Sequence, residues 1–194
     1  MSRNDKKILD LICEAGLLKR IKRSGWWVLG IKDGESVAEH SFRCAVIGYT
    51  IAKMEGIFPY KVLMMTLFGD LHEARINDLH KMAQRYVDFG KAEDKAFAEQ
   101  IEDLPKNIKS EMSGLHKEYR RQKNKESVIA RDADILECLI QAREYQEHGF
   151  KQADKFLKKA PSHLKTKSAR RLWRLAKTTQ LNDWWQRLSE FKRI

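Results

Sequence analysis

Nowhere in this chain of 194 residues do apolar and polar side chains alternate with the two-residue period of a half-buried strand; they recur instead every three or four positions. Ile8, Leu11, Ile12, Ala15 and Leu18 open the chain as an amphipathic helix. Val128, Ile129, Ala133, Leu136, Leu139 and Ile140 repeat the pattern between Ser127 and His148. Three prolines and ten glycines are few for the many turns of an all-β protein. The pattern predicts an all-α fold. The length predicts one domain overall, a helical core over residues 1–150 with a basic, tryptophan-containing helical extension, 151–194, packed on it.

Local signals place the helix ends. Ser36-Val37-Ala38-Glu39 has the form of a capping box, so a helix starts there and runs through Val46 and Ile51 to a stop at Gly56. Pro59 suits the first turn of the next helix. Its run of large apolar residues from Val62 to Phe68 predicts burial on most sides, with Asp70, Glu73 and Asp78 at its C-terminal end and a break at Asn77. A polar helix follows from about Lys91 to Glu102, and Pro105 starts another. Gly149 ends the second core helix, and the tail reads as two or three short helices anchored by Trp173, Trp184, Trp185 and Phe191.

The formal charge of +11 favours anionic partners, whether nucleotides, phosphates, nucleic acid or a membrane surface, without choosing among them. The basic residues gather in Lys19-Arg20-Ile21-Lys22-Arg23 and between Lys155 and Arg174. No 18-residue apolar run and no secretory leader is present, which points to a cytoplasmic protein without a membrane span. Cys13, Cys44 and Cys138 are odd in number and far apart within apolar patterns, and read as buried free thiols in a reducing compartment.

Three groups stand out chemically: His40 early in one core helix, Asp70 at the end of the next, and Asp134 in a third. A carboxylate inside a helical core costs several kcal/mol unless it is paired with a cation or holds a metal. One imidazole with two carboxylates suits a divalent ion such as Mn²⁺, Co²⁺, Mg²⁺ or Fe²⁺. Glu73 lies three residues beyond Asp70 on nearly the same face, where it can act as general acid or base, and Asp78 adds a second carboxylate. Structural roles compete with each of these. Asp134 has Arg131 three residues away, and Asp70 has Arg75 within reach. His72-Glu73 forms no zincin site, because Ile76 stands where its second histidine would be.

Glu35-Ser36-Val37-Ala38-Glu39-His40-Ser41, Leu67-Phe68-Gly69-Asp70-Leu71-His72-Glu73-Ala74 and Arg131-Asp132-Ala133-Asp134, taken in order, resemble the HD-domain phosphohydrolases, and among them the 5′-deoxynucleotidases. The resemblance runs from about Leu17 to Tyr145. It implies an HD-domain helical bundle whose divalent metal is held by His40, Asp70 and Asp134. It also implies Glu73 and Asp78 as catalytic carboxylates, Arg23 against the substrate phosphate, Trp26 against the nucleoside, and Glu118, on a looser match, as a further acidic site residue. Without the resemblance, Trp26 is a packing residue and Arg23 a surface charge.

The implied reaction is hydrolysis of a (deoxy)nucleoside 5′-monophosphate, and the implied assembly a homodimer. A triphosphohydrolase and a non-catalytic nucleotide- or nucleic-acid-binding protein on the same scaffold are the alternatives. Gly69 departs from the family pattern, standing where a second histidine ligand is expected. Inside a buried helix a glycine costs about 0.5–1 kcal/mol relative to alanine and offers no donor, so a lost ligand and weakened activity are expected. His72, three residues on, is the one nearby imidazole that could substitute.

Overall fold

The structure, a computed structural model, describes residues 3–189. It is helical throughout: α1 (Arg3–Ala15), α2 (Val37–Met54), α3 (Tyr60–Leu67), α4 (Glu73–Ile76), α5 (Phe89–Ile101), α6 (Lys106–Arg121), α7 (Lys125–Glu147), α8 (Asp154–Lys159) and α9 (Lys167–Thr178). Among the described residues no strand forms, and the one isolated bridge joins Lys22 to Ser36. Phe191, expected to anchor the tail, lies outside the described residues.

The helix ends follow the chemistry of their residues. Ser36 Oγ accepts from the Glu39 amide at 3.2 Å while Glu39 Oε2 accepts from the Ser36 amide at 2.6 Å, closing the capping box that starts α2. Asn124 caps α7 by accepting from the Ser127 amide at 2.9 Å. Asn77, at φ 60°, ends α4, and Gly149, at φ 94°, follows the last turn of α7.

Helix α7 is the axis of the fold, with α2, α3, α6, α8 and α9 laid against it. Ile129, Ala130, Ala133, Leu136 and Leu139 bury there against Ile47 and Ile51 of α2 and Trp173 of α9. Helices α2 and α3 approach so closely at Gly48 that a Cβ there would stand 2.9 Å from Val62 Cγ1. Helix α3 packs against α2, α7 and α6. Val62, Met65 and Thr66 are buried, Leu63, Met64 and Phe68 are partly buried, and Leu67 is about half exposed, so most of the apolar run is covered.

Two expectations are corrected. Gly69 does not sit within a helix: α3 ends at Leu67, and a turn over Phe68–His72 precedes α4. The turn tightens here because a glycine lets the chain fold back on itself; a Cβ at 69 would meet the Met65 carbonyl oxygen at 2.9 Å. Of the three thiols only Cys44 is buried; Cys13 is exposed because α1 turns that face outward, and Cys138 is partly exposed beside a cavity.

The segment after residue 150 is tied to the core by Asp132, which is fully buried in α7. Its carboxylate accepts from the amides of Lys165 (2.9 Å) and Thr166 (2.6 Å) and from the Thr166 hydroxyl (2.7 Å). Glu55 Oε1 accepts from the Ser168 amide at 2.9 Å, a second tie at the start of α9.

Candidate metal centre and active-site cavity

His40 lies in the first turn of α2, fixed there by the capping box, with its ring buried. Glu137 of α7 receives its Nδ1 at 2.5 Å. That contact leaves Nε2 facing Asp134 Oδ1 at 3.3 Å, Asp70 Oδ2 at 3.6 Å and Cys44 Sγ at 3.3 Å. Glu137 is itself gripped by Arg43, whose Nε donates to Oε1 at 2.8 Å and whose NH1 continues to Glu144. The two expected carboxylate ligands therefore converge on one nitrogen of His40.

The donor set suits a cation. His40, Cys44 and Asp134 place one ligand atom each within 4.8 Å of one another, and Asp70 approaches the same imidazole nitrogen from the turn after α3. A carboxylate on Nδ1 is the arrangement that fixes a metal-binding imidazole in the tautomer with Nε2 free. Burial raises the Asp134 carboxyl, but the His40 hydrogen bond and the positive charges of His40, Arg131 and Arg23 outweigh it and hold this carboxyl well below its ordinary value.

Beside this cluster opens a cavity of about 800 Å³, lined by Arg23, Trp26, Asp70, Glu73, Asp78 and Asp134 among others. Arg23 spans its acidic wall, with NH1 3.3 Å from Asp70 Oδ2, Nε 3.6 Å from Asp78 Oδ2 and NH2 on Cys138 Sγ at 3.3 Å. Asp78 also accepts from the Ser24 amide at 3.0 Å. Asp70 is thus paired with Arg23; the competing Arg75 goes instead to Glu14 at 2.5 Å. The Asp134–Arg131 pairing is present at 3.0 Å alongside the His40 contact, and the Arg131 guanidinium lies over the Tyr119 ring.

Glu73 differs from its neighbours. It is buried, and its Oε2 has no hydrogen-bond partner among the described residues. Burial first, then repulsion from Asp70 and Asp78, pushes its carboxyl well above the ordinary value despite the nearby positive charge of Arg23 and His40. Burial likewise raises Asp78, with Arg23 opposing. The wall therefore offers a carboxyl that holds its proton more tightly than usual next to a guanidinium, the pair a departing oxyanion needs.

Trp26 faces the cavity with part of its ring. Its Nε1 donates to Glu35 at 3.0 Å, and it packs against Tyr145 and Phe156 at centroid distances of 5.1 and 4.9 Å. The packing description and the cavity-facing one both hold for this residue. Two other residues lie away from this cluster. Glu118 does not line the cavity; it accepts from Lys61 at 2.8 Å and from Asn124 at 2.7 Å on the outer side of α6, where opposite charge and an amide donor hold it. His72 turns from His40 towards Glu93, 3.4 Å from its Nε2, because the turn after Gly69 carries its side chain under α5.

Glu137 and Arg43 carry no assignment in the sequence, and Cys44 reads there only as a buried thiol. A signal existed for two of them: Glu137 interrupts an apolar helical face three residues after Asp134, and Cys44 follows His40 by one helical turn.

Comparison with known proteins bears on this geometry. The profile of the HD domain matches residues 15–175. The chain belongs to the HD domain family. The match extends past residue 150 into α9, so part of the tail falls within the HD domain. A curated relative, 5′-deoxynucleotidase HDDC2 of Dictyostelium discoideum, is 30% identical over 148 residues, 72% of this chain and 77% of the relative. Among solved structures, a conserved hypothetical protein from Pyrococcus furiosus superposes with a TM-score of 0.74 at 35% identity, covering 87% of this chain and 96% of that one. A predicted metal-dependent phosphohydrolase from Magnetospirillum magnetotacticum shares the fold with a TM-score of 0.69 at 23% identity, over 89% of this chain and 90% of its own.

Proposed function

We propose that this HD-domain protein is a metal-dependent phosphohydrolase that cleaves deoxynucleoside 5′-monophosphates to deoxynucleoside and phosphate. The observation that carries the reading is the convergence of Asp70 and Asp134 on His40 Nε2 at the edge of a cavity that also holds Arg23 and the buried Glu73. The relatives named 5′-deoxynucleotidase support the monophosphate as substrate.

His40, Asp70 and Asp134 would hold the divalent ion, with Mn²⁺, Co²⁺, Mg²⁺ and Fe²⁺ as candidates. When bound, the ion supplies Lewis-acid stabilisation of phosphoryl charge and acidifies water. Arg23 exchanges its carboxylate partners for the substrate phosphate and neutralises it by charge-assisted hydrogen bonds. Trp26 and Phe156 offer an aromatic edge to the nucleoside. As water attacks phosphorus and the bond to the 5′-oxygen breaks, Glu73 gives that oxygen its proton and Asp78 accepts the proton released by the water. A raised carboxyl serves each role, as acid when protonated and as a stronger base when not.

The test is a phosphate-release screen with dAMP, AMP and dATP against several divalent metals. Release from dAMP that depends on metal and is lost in Glu73→Gln is the expected result. Release of triphosphate from dATP alone overturns the monophosphate reading, and no release with any nucleotide overturns the enzyme. The same screen on Gly69→His asks whether glycine at this position weakens metal binding.

One observation favours a second, subsidiary role in binding nucleic acid. Lys167, Arg170, Arg171, Arg174 and Lys177 are exposed along α9, and no ion pair to any of them is found among the described residues. Oligonucleotide binding that weakens steeply with salt is its signature.

Assembly as a homodimer is proposed on the exposed Phe42, Val46 and Tyr49, which follow one face of α2, and light scattering of the purified protein tests it. A cytoplasmic location is supported by three free cysteines. No helix among the described residues is long and apolar enough to cross a membrane. One folding unit comprising the core and the segment after residue 150 is supported by the Asp132 ties. A single unfolding transition, seen alike by circular dichroism and tryptophan fluorescence, is its test.

A further inference from the structure

Cys44 lies one helical turn beyond His40 on α2, so both side chains leave the same face. Its sulfur is 3.3 Å from His40 Nε2, the nitrogen that also meets Asp134 and Asp70. The thiol is buried, and its remaining contact is a long one, 4.0 Å, to the Ala133 carbonyl. Gly69, in the turn before Asp70, has no donor to give. Counting Nε2 itself with Asp134 and Asp70, the nitrogen and oxygen donors number three, one short of a tetrahedron.

We propose that Cys44 is a ligand of the metal centre, adding a thiolate to the His40 imidazole and the Asp134 carboxylate, with Asp70 approaching the same nitrogen from the turn after α3. This rests on the metal-centre reading above. The ligand atoms of His40, Cys44 and Asp134 lie within 4.8 Å of one another, a spacing that one ion can span. Bonds of ordinary length to a tetrahedral ion put an imidazole nitrogen and a thiolate sulfur roughly 3.5 Å apart, and an imidazole nitrogen and a carboxylate oxygen roughly 3.4 Å apart. The corresponding distances are 3.3 Å to Cys44 and 3.3 Å to Asp134, with 3.6 Å to Asp70. The thiol proton leaves to solvent as the metal–sulfur bond forms. A soft donor in the set shifts preference towards Co²⁺ and Zn²⁺ and away from Mg²⁺ and Mn²⁺.

Cobalt reports both the ion and the sulfur. Co²⁺ is titrated into the apo-protein and into Cys44→Ala, Cys138→Ala and Cys13→Ala, with absorption followed from the near ultraviolet to the visible. The expected result is a thiolate-to-cobalt charge-transfer band in the wild type, Cys138→Ala and Cys13→Ala that is lost in Cys44→Ala, while the visible d–d bands persist. Co²⁺ affinity should fall about tenfold or more in Cys44→Ala, and Mn²⁺ affinity should change less. Cys44→Ser, which keeps the volume, reads the same loss if the alanine variant fails to fold. Visible bands without a charge-transfer band in the wild type, or a band that survives Cys44→Ala, overturn the thiolate ligand and leave the metal centre standing. No cobalt spectrum in any variant overturns both.

Discussion

Glu137 Oε2 lies 2.5 Å from Nδ1 of His40, and the same carboxylate is held from its other side by Arg43. The imidazole that meets Asp70 and Asp134 is therefore oriented by a residue from a different helix, itself locked by a guanidinium. Removing the charge while keeping the shape, in Glu137→Gln, should lower divalent-metal affinity 10- to 100-fold. Isothermal titration with Mn²⁺ measures it. An unchanged affinity would mean that the pairing is structural only.

Gly69→Ala separates a glycine retained for its backbone from one that is merely missing a side chain. In an open helical position the alanine would gain about 0.5–1 kcal/mol. Here its Cβ would stand 2.9 Å from the Met65 carbonyl oxygen, so the sign reverses and a loss of about 1–3 kcal/mol is expected. Urea denaturation of the two proteins decides between the signs.

Asp132→Ala should cost about 3 kcal/mol, because it strips three backbone and hydroxyl donors of a charged acceptor inside the protein. The loss should be local as well as global. Limited proteolysis should cut between residues 150 and 166 faster in the variant, at a time when the rest of the chain is still intact.

Glu35 gives a pH signature. Burial first, then the negative charge of Glu137, pushes its carboxyl up to about 7, although His40, the Trp26 Nε1 hydrogen bond and Arg23 oppose the rise. A folded state that keeps a proton which the unfolded chain releases above about 4.5 loses stability as pH rises through that interval. The apo-protein should therefore weaken between pH 4.5 and 7 relative to Glu35→Gln, and the difference should level off above pH 7. Glu73 and Asp78 act in the same direction in both proteins, so the difference between the two melting profiles carries the test. A constant difference would remove Glu35 as the cause.

The helices were legible because their signals are local. The Ser36–Glu39 box, Pro59, Pro105, Asn77 and Gly149 each mark an end through the geometry of one or two residues. The order of the motifs also groups His40, Asp70 and Asp134, and the fold brings both carboxylates within 3.6 Å of one imidazole nitrogen. What escaped depends on neighbours far along the chain. Glu137 and Arg43 lie 94 residues apart in sequence, and no period reveals that they meet. Glu118 matches the family pattern only loosely, and a lysine 57 positions away holds it outside the cavity. The turn at Gly69 interrupts an apolar run that reads as continuous helix, because the closing contact is made by backbone atoms.

The Asp132 latch has one consequence for selectivity. Phe156, Ala160 and His163 form part of the cavity wall, and all three lie in the segment that Asp132 fastens two residues before Asp134. One turn of α7 therefore carries both the proposed metal ligand and the width of the cavity: Asp134 faces His40, and Asp132 fixes how far the opposite wall stands from it. Changes confined to the tail would widen or narrow the range of molecules admitted while His40, Asp70 and Asp134 stay where they are.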